Sequence, residues 1–181
     1  MVVQRWPVIF GIALTSLMPH LNASLGKVTD YERLLEAAMV GGQITTKLRI
    51  AAFLAQLAHE SGELRYFEEL ATGQAYEGRK DLGNSQIGDG PRFKGRGPIQ
   101  LTGRLNYTRA GEALGLDLVG HPEIAATPGA GFRIAVWYWV THSLNALADA
   151  GDFDGITLRI NGALRGKPQR DAYYHRALEL L

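Results

Sequence analysis

Between Thr46 and Gly62 the chain reads TKLRIAAFLAQLAHESG, and Ile50, Phe53, Leu54 and Leu57 recur there at helical spacing. That spacing predicts a helix with a core-facing stripe, with Thr45 or Thr46 as its cap and Gly62 placed to end it. Glu60 falls three residues after Leu57 and seven after Phe53, so it continues the apolar stripe. A carboxylate on such a face is costly unless an Arg or backbone amides pair with it, or unless it holds a proton near neutral pH. The second option is what a general acid for glycosidic cleavage requires.

The remaining pattern is mainly helical. Thr29 and Glu32 form a capping-box pattern opening a helix to about Val40, before Gly41-Gly42. From Thr72 to Gly97 the periodicity fails, and repeated glycines punctuate a long loop or small β-hairpin. A stretch of that length inside a compact domain is usually functional. Helical character returns from Gly103 to Leu114, and His121-Pro122 marks a turn. Pro128 fits the first position of a helix running to about His142, which carries Trp137, Tyr138 and Trp139. Two last helices, near Phe153 to Ile160 and from about Gln169 to the end, flank Asn161-Gly162. A chain of 181 residues without an interior linker reads as one domain, 1–181.

At the start, Arg5 precedes the apolar run Trp6 to Met18, which is too short to span a bilayer. With Arg5 alone ahead of the apolar run and no A-x-A-like site, residues 1–29 read as an N-terminal helix ended by Pro19 and Asn22, though the segment is signal-like enough to keep export open. A net charge of +1 gives no basis for a nucleic-acid partner, and the absence of cysteine excludes disulfides. His59-Glu60 suggests a metalloprotease, but HExxH needs histidine where Glu63 stands. Asp152 and Asp154 are too sparse for a calcium loop. No metal or organic cofactor is expected.

Glu69 lies nine residues beyond Glu60, past the helix end, where it is free to fold back across a cleft. Inverting glycosidases hold two carboxylates roughly 6.5–9.5 Å apart to admit a water. Spacing alone does not separate Glu69 from Glu63, Glu68 or Glu77. Further on, FKGRGPIQLTGRLNY (Phe93 to Tyr107) alternates Gln100, Thr102 and Asn106 with apolar residues, supplying neutral groups suited to sugar hydroxyls, N-acetyl amides and an oriented water. Trp137 and Trp139 are candidates for stacking on sugar, with at least one expected in the core. Lys94, Arg96 and Arg104 are candidates for meeting anionic peptide carboxylates or for pairing with Glu60 or Asp89.

AHESGEL around Glu60, FKGRGPIQLTGRLNY, GFRIAVWYWVTH and RINGAL around Asn161 occur in one order. Together they resemble glycoside hydrolase family 19, in its phage endolysin branch related to plant-type chitinases. The resemblance covers roughly residues 30 to 181. It implies a lysozyme-like, two-lobed, mainly α domain with the glycine-rich loop or hairpin at the cleft. It also implies single-displacement hydrolysis of β-1,4 bonds beside N-acetylglucosamine or N-acetylmuramic acid. By position, Glu60 would be the general acid, Glu69 the general base, and Thr102 a holder of the nucleophilic water; Gln100, Asn106, Tyr107, Asn161 and Arg96 would contact the glycan.

Plant chitinases carry HETTGG where this chain has HESGEL, a longer gap before the second Glu, and disulfides. Those departures shift the expected partner from chitin toward peptidoglycan, acted on by a monomer without stable membrane insertion. Such an endolysin would stay in the host cytoplasm until released to the periplasm and cell wall. The competing expectations are a chitinase of the same fold, a lytic transglycosylase needing one Glu, and an inactive glycan-binding module.

Overall fold

The structure, a computed structural model, describes residues 14–21 and 25–181. Its helices are α1 (Leu14–Leu17), α2 (Leu25–Gly41), α3 (Lys47–Glu60), α4 (Asp89–Arg92), α5 (Arg104–Leu114), α6 (Pro128–Thr141), α7 (Leu144–Asp149), α8 (Phe153–Asn161) and α9 (Lys167–Leu180), with 3-10 turns at Gln74–Tyr76, Lys80–Leu82 and Pro122–Ala126. Among the described residues the only strand-like pairings are two isolated bridges, Glu68 with Arg96 and Arg96 with Leu101. The fold is therefore mainly α. Most of the apolar run at the start lies outside the described residues, and its end is the buried single turn α1.

α3 is the centre of the molecule. Thr46 caps it by accepting from the Arg49 amide, as its position predicts. Every residue from Ile50 to Ala58 is buried, so the stripe is only part of a helix enclosed on all sides. α9 packs along it most extensively, with α7 and α8 beside it, while α2 lies against α6. Phe53 meets Trp139 of α6 edge to face at 5.2 Å, a contact whose truncation to Ala would cost about 3–5 kcal/mol. Arg49 grips Asp149 of α7 with two hydrogen bonds, at 2.8 and 2.5 Å.

Two sequence expectations are corrected. The Thr29–Glu32 pair does not open a helix, because α2 already begins at Leu25. Glu32 instead turns its buried carboxylate to the Leu14 amide at 2.9 Å, joining α1 to α2. The segment from His142 to Asp152 also contains a further helix, α7.

The irregular segment between α3 and α5 is ordered by side chains bonding to backbone. Asn84, fully buried, donates to the Tyr76 carbonyl and accepts from the Arg104 amide, both at 2.8 Å. Glu77 accepts from the amides of Gly88 and Gly90. Asp89 pairs with Arg104, the partner foreseen for one of the loop cations. Such bonds replace the ladder that a hairpin would have supplied.

Candidate active site

Glu60 is the last residue of α3, and the chain leaves it through three left-handed residues, Gly62, Glu63 and Leu64, with φ of 56°, 63° and 59°. Two of these carry side chains, a conformation costing about 1–2 kcal/mol per residue. Bonds on both sides hold the turn. The Ser61 hydroxyl donates to the Leu57 carbonyl and accepts from the Leu64 amide. The buried Glu63 carboxylate accepts from the His20 amide at 2.6 Å and the Tyr173 hydroxyl at 2.7 Å, and it pairs with the His20 ring. Burial opposes ionisation of Glu63, but these His20 and Tyr173 bonds outweigh it and hold its pKa below the usual carboxylate range.

Of the two ways foreseen for holding Glu60 on an apolar face, the structure shows arginine pairing: its partner is Arg170 of α9, whose Nη2 donates to Glu60 Oε1. Arg170 is fully buried, whereas the Glu60 side chain keeps 18% exposure and so is open to the outside. Lys94, Arg96 and Arg104 do not supply this partner. Lys94 and Arg96 both pair with Glu68 at 3.2 Å, and Arg104 is committed to Asp89. Arg170 escaped the sequence reading because a polar C-terminal helix gives no sign of which arginine turns inward. Beside Glu60, burial and the Arg170 charge lower the pKa of His59, with Glu60 itself and Gln169 acting the other way.

Glu69 sits where residues 67–69 run beside 95–97: the Glu69 amide donates to the Gly95 carbonyl at 2.9 Å, and the Gly97 amide to the Phe67 carbonyl at 2.8 Å. Its carboxylate accepts at one oxygen from the Tyr76 hydroxyl and at the other from the Gly95 amide, both at 3.0 Å. Tyr76 was not identifiable from sequence, its only signal being an aromatic residue inside the glycine-rich stretch. A Cβ on Gly95 would lie 2.6 Å from Gln100 Oε1 and 3.2 Å from Glu69 Oε2. Gln100 and Glu69 thus converge over a residue that must lack a side chain. Gln100 has φ of 55° and donates to the Gly97 carbonyl.

Thr102 and Asn106 follow on the same segment. The Thr102 hydroxyl donates to the Gln100 carbonyl at 2.8 Å, so toward a water it acts only as an acceptor. Asn106 Nδ2 donates to the Thr102 carbonyl. Asn161 ends α8, and its Oδ1 is buried without a protein partner. Close by, the Tyr138 hydroxyl of α6 donates to the Arg159 carbonyl at 3.0 Å.

Two expected glycan contacts are corrected. Tyr107 is fully buried and donates to the Lys94 carbonyl at 2.8 Å; burial pushes its phenol up to about 12, against the opposing effect of Arg96. Arg96, 7% exposed, donates to the Arg92 carbonyl and to the Tyr107 hydroxyl. Both residues brace the loop from inside and have no surface to offer a sugar. Trp139 is core as well, and Trp137 lines an apolar groove of about 640 Å³ between α2 and α6. Asp152 caps α8 by accepting from the Gly155 amide, and Asp154 pairs with Lys167.

The profile of glycoside hydrolase family 19, chitinase class I, matches residues 30–149. The acidic endochitinase SP2 of Beta vulgaris is 37% identical over 127 residues, covering 68% of this chain and 43% of that protein. The chain spans about two fifths of the length of SP2 and of two further plant endochitinases that it matches, from Arabidopsis thaliana and Solanum lycopersicum. A glycosyl hydrolase family 19 domain-containing protein of Haemophilus influenzae is 29% identical, covering 90% of this chain and 92% of that one. The crystal structure of chitinase C from Streptomyces griseus superposes with a TM-score of 0.74 at 25% identity, covering 95% of this chain and 76% of that one.

Proposed function

Because the chain belongs to glycoside hydrolase family 19, we propose that it is a peptidoglycan-degrading hydrolase of the endolysin kind. It cuts the β-1,4 bond between N-acetylmuramic acid and N-acetylglucosamine by single displacement. The observation that carries this reading is a pair of carboxylates held in unlike ways: Glu60 by a buried arginine on the helical side, Glu69 by a phenol and an amide on the loop side. Unlike surroundings suit unlike roles.

In this scheme Glu60 protonates the leaving oxygen, and Arg170 stabilises the carboxylate that remains. The two donors on Glu69 fix its plane while leaving lone pairs for a water. Thr102, with its proton spent on Gln100, accepts a hydrogen from that water and turns the water's lone pair toward the anomeric carbon. Gln100 and Asn106 contact the N-acetyl and hydroxyl groups from the loop side, and Asn161, half-buried at the end of α8, does so from the helical side.

Peptidoglycan is favoured over chitin by the short connection between the two carboxylates. Arg159 and Arg165, exposed on either side of Asn161, have no ion-pair partner among the described residues and suit the carboxylates of stem peptides. The enzyme would work as a monomer, reaching the wall from the host cytoplasm at lysis. Chitin is the second reading, favoured by the names of the plant relatives.

Parallel digestion of purified peptidoglycan and of chitin oligomers, with mass spectrometry of the products, tests the proposal. Reducing-end muropeptides are expected, and Glu60→Gln should lower their yield by roughly 10²–10⁴-fold. Products carrying an anhydro ring would mean a transglycosylase. Cleavage of chitin alone would select the second reading, and near-wild-type clearing by Glu60→Gln would remove Glu60 from the mechanism.

A further inference from the structure

We infer that Gln56 and Thr157 are positioning residues for the proton donor: they fix the orientation of Arg170, and Arg170 fixes Glu60. The inference rests on the reading of Glu60 as the acid.

Hydrogen-bond valence fixes the direction of each bond in this chain of contacts. Thr157 of α8 donates its single hydroxyl proton to the Phe153 carbonyl at 3.1 Å. Toward any other group it is then an acceptor only. Gln56 of α3, fully buried, donates its amide nitrogen to that hydroxyl at 2.9 Å. With the nitrogen committed, Gln56 has only its oxygen to turn to Arg170, and Nη1 of Arg170 donates to it. Nε donates to the Arg165 carbonyl at 3.0 Å, and Nη2 reaches Glu60. Each guanidinium nitrogen therefore has a defined acceptor, and the group is fully buried. A flipped Gln56 amide would aim N–H groups at a cation.

Neutrality matters as much as direction. Gln56 holds Arg170 without carrying a negative charge, so among the described residues Glu60 is the only carboxylate that Arg170 pairs with. The other titratable and charged groups facing this point are His59 on the same helix and Tyr138 on α6, with Arg159 of α8 beyond Tyr138. None of them touches the Gln56–Thr157 bond, which sets the charge felt by Glu60 from inside the core.

The test is the pH dependence of kcat on a soluble muropeptide or chito-oligosaccharide, for Thr157→Val, Thr157→Ser and Gln56→Glu. Thr157→Val removes the acceptor with little change of shape. Gln56 is then free to turn, Arg170 loses one of the contacts that orient it, and the positive charge beside Glu60 is less firmly placed. The basic limb should move up by about 1 unit, the low end of what a full opposite charge does to a carboxyl. kcat should fall by up to about 100-fold through misplacement, with KM little changed. The acid limb should stay. Thr157→Ser should restore the wild-type profile.

Gln56→Glu gives Arg170 a second carboxylate and should move the basic limb the same way, so it decides the matter if Thr157→Val fails to fold. Folded variants with unmoved limbs, or failure of Thr157→Ser to rescue, would overturn the inference. Glu60→Gln in parallel separates the layers. If that variant is active, the reading of Glu60 has failed; if it is dead while the Thr157 and Gln56 variants keep the wild-type profile, only the positioning role has failed.

Discussion

At the residue scale, a side chain's chemistry is decided by where its donors and acceptors are spent. Tyr107 carries a sugar-binding group, yet its hydroxyl is consumed between Lys94 and Arg96 in a fully buried position. Tyr107→Phe should therefore cost about 1–3 kcal/mol of stability, the penalty for leaving Arg96 and the Lys94 carbonyl short of a partner. The folded variant should bind glycan as the wild type does, which equilibrium unfolding and a binding isotherm would check. His59 makes a prediction of opposite kind. Its pKa lies below the ordinary 6.5, chiefly through burial and then the Arg170 charge. The unfolded chain thus binds a proton more readily than the native one, so stability is full above pH 6.5 and declines as pH falls from there to the lowered native value. Denaturant melts across that window should show the slope, and a folded His59→Asn variant should have less of it.

At the element scale, legibility followed whether an element is governed by local or distant partners. Thr46 caps α3 and Pro128 begins α6 as their positions announce, because caps and prolines act within a turn of themselves. Thr29–Glu32 imitates a capping box, but Glu32 bonds a residue eighteen positions away, which no local pattern reveals. α4 is four residues containing Gly and Pro, and α7 is six residues entered through Ser143 at φ 56°; neither is long enough to show a period. The loop segment was legible in its polar residues, not in its bracing. Gly95 marks the difference. Ala there would place a Cβ against Gln100 and Glu69 with no demand for a left-handed backbone. Gly95→Ala should fold to within about 1 kcal/mol of the wild type while losing about 10–100-fold in turnover through misplacement of the base. Thermal melts beside a turbidity assay would show it, and equal losses in both would mean the glycine serves the fold alone.

At the scale of the whole molecule, one enclosed helix carries a carboxylate outward at its end, and a side-chain-braced loop carries another. The sequence motifs gave the mainly α class and singled out the two candidate acids and the loop's Gln100, Thr102 and Asn106. They were silent on Arg170, Tyr76, Gln56 and Thr157, because these act through contacts between segments far apart in the chain. In the proposed mechanism Glu69 activates a water instead of attacking the sugar. Proton NMR of a muropeptide or chito-oligosaccharide digest, read before mutarotation, tests it most directly. The expected first product from a β-linked glycan is the α-anomer, with no covalent glycosyl-enzyme; a β-anomer appearing first would mean retention and remove Glu69 from the role of base.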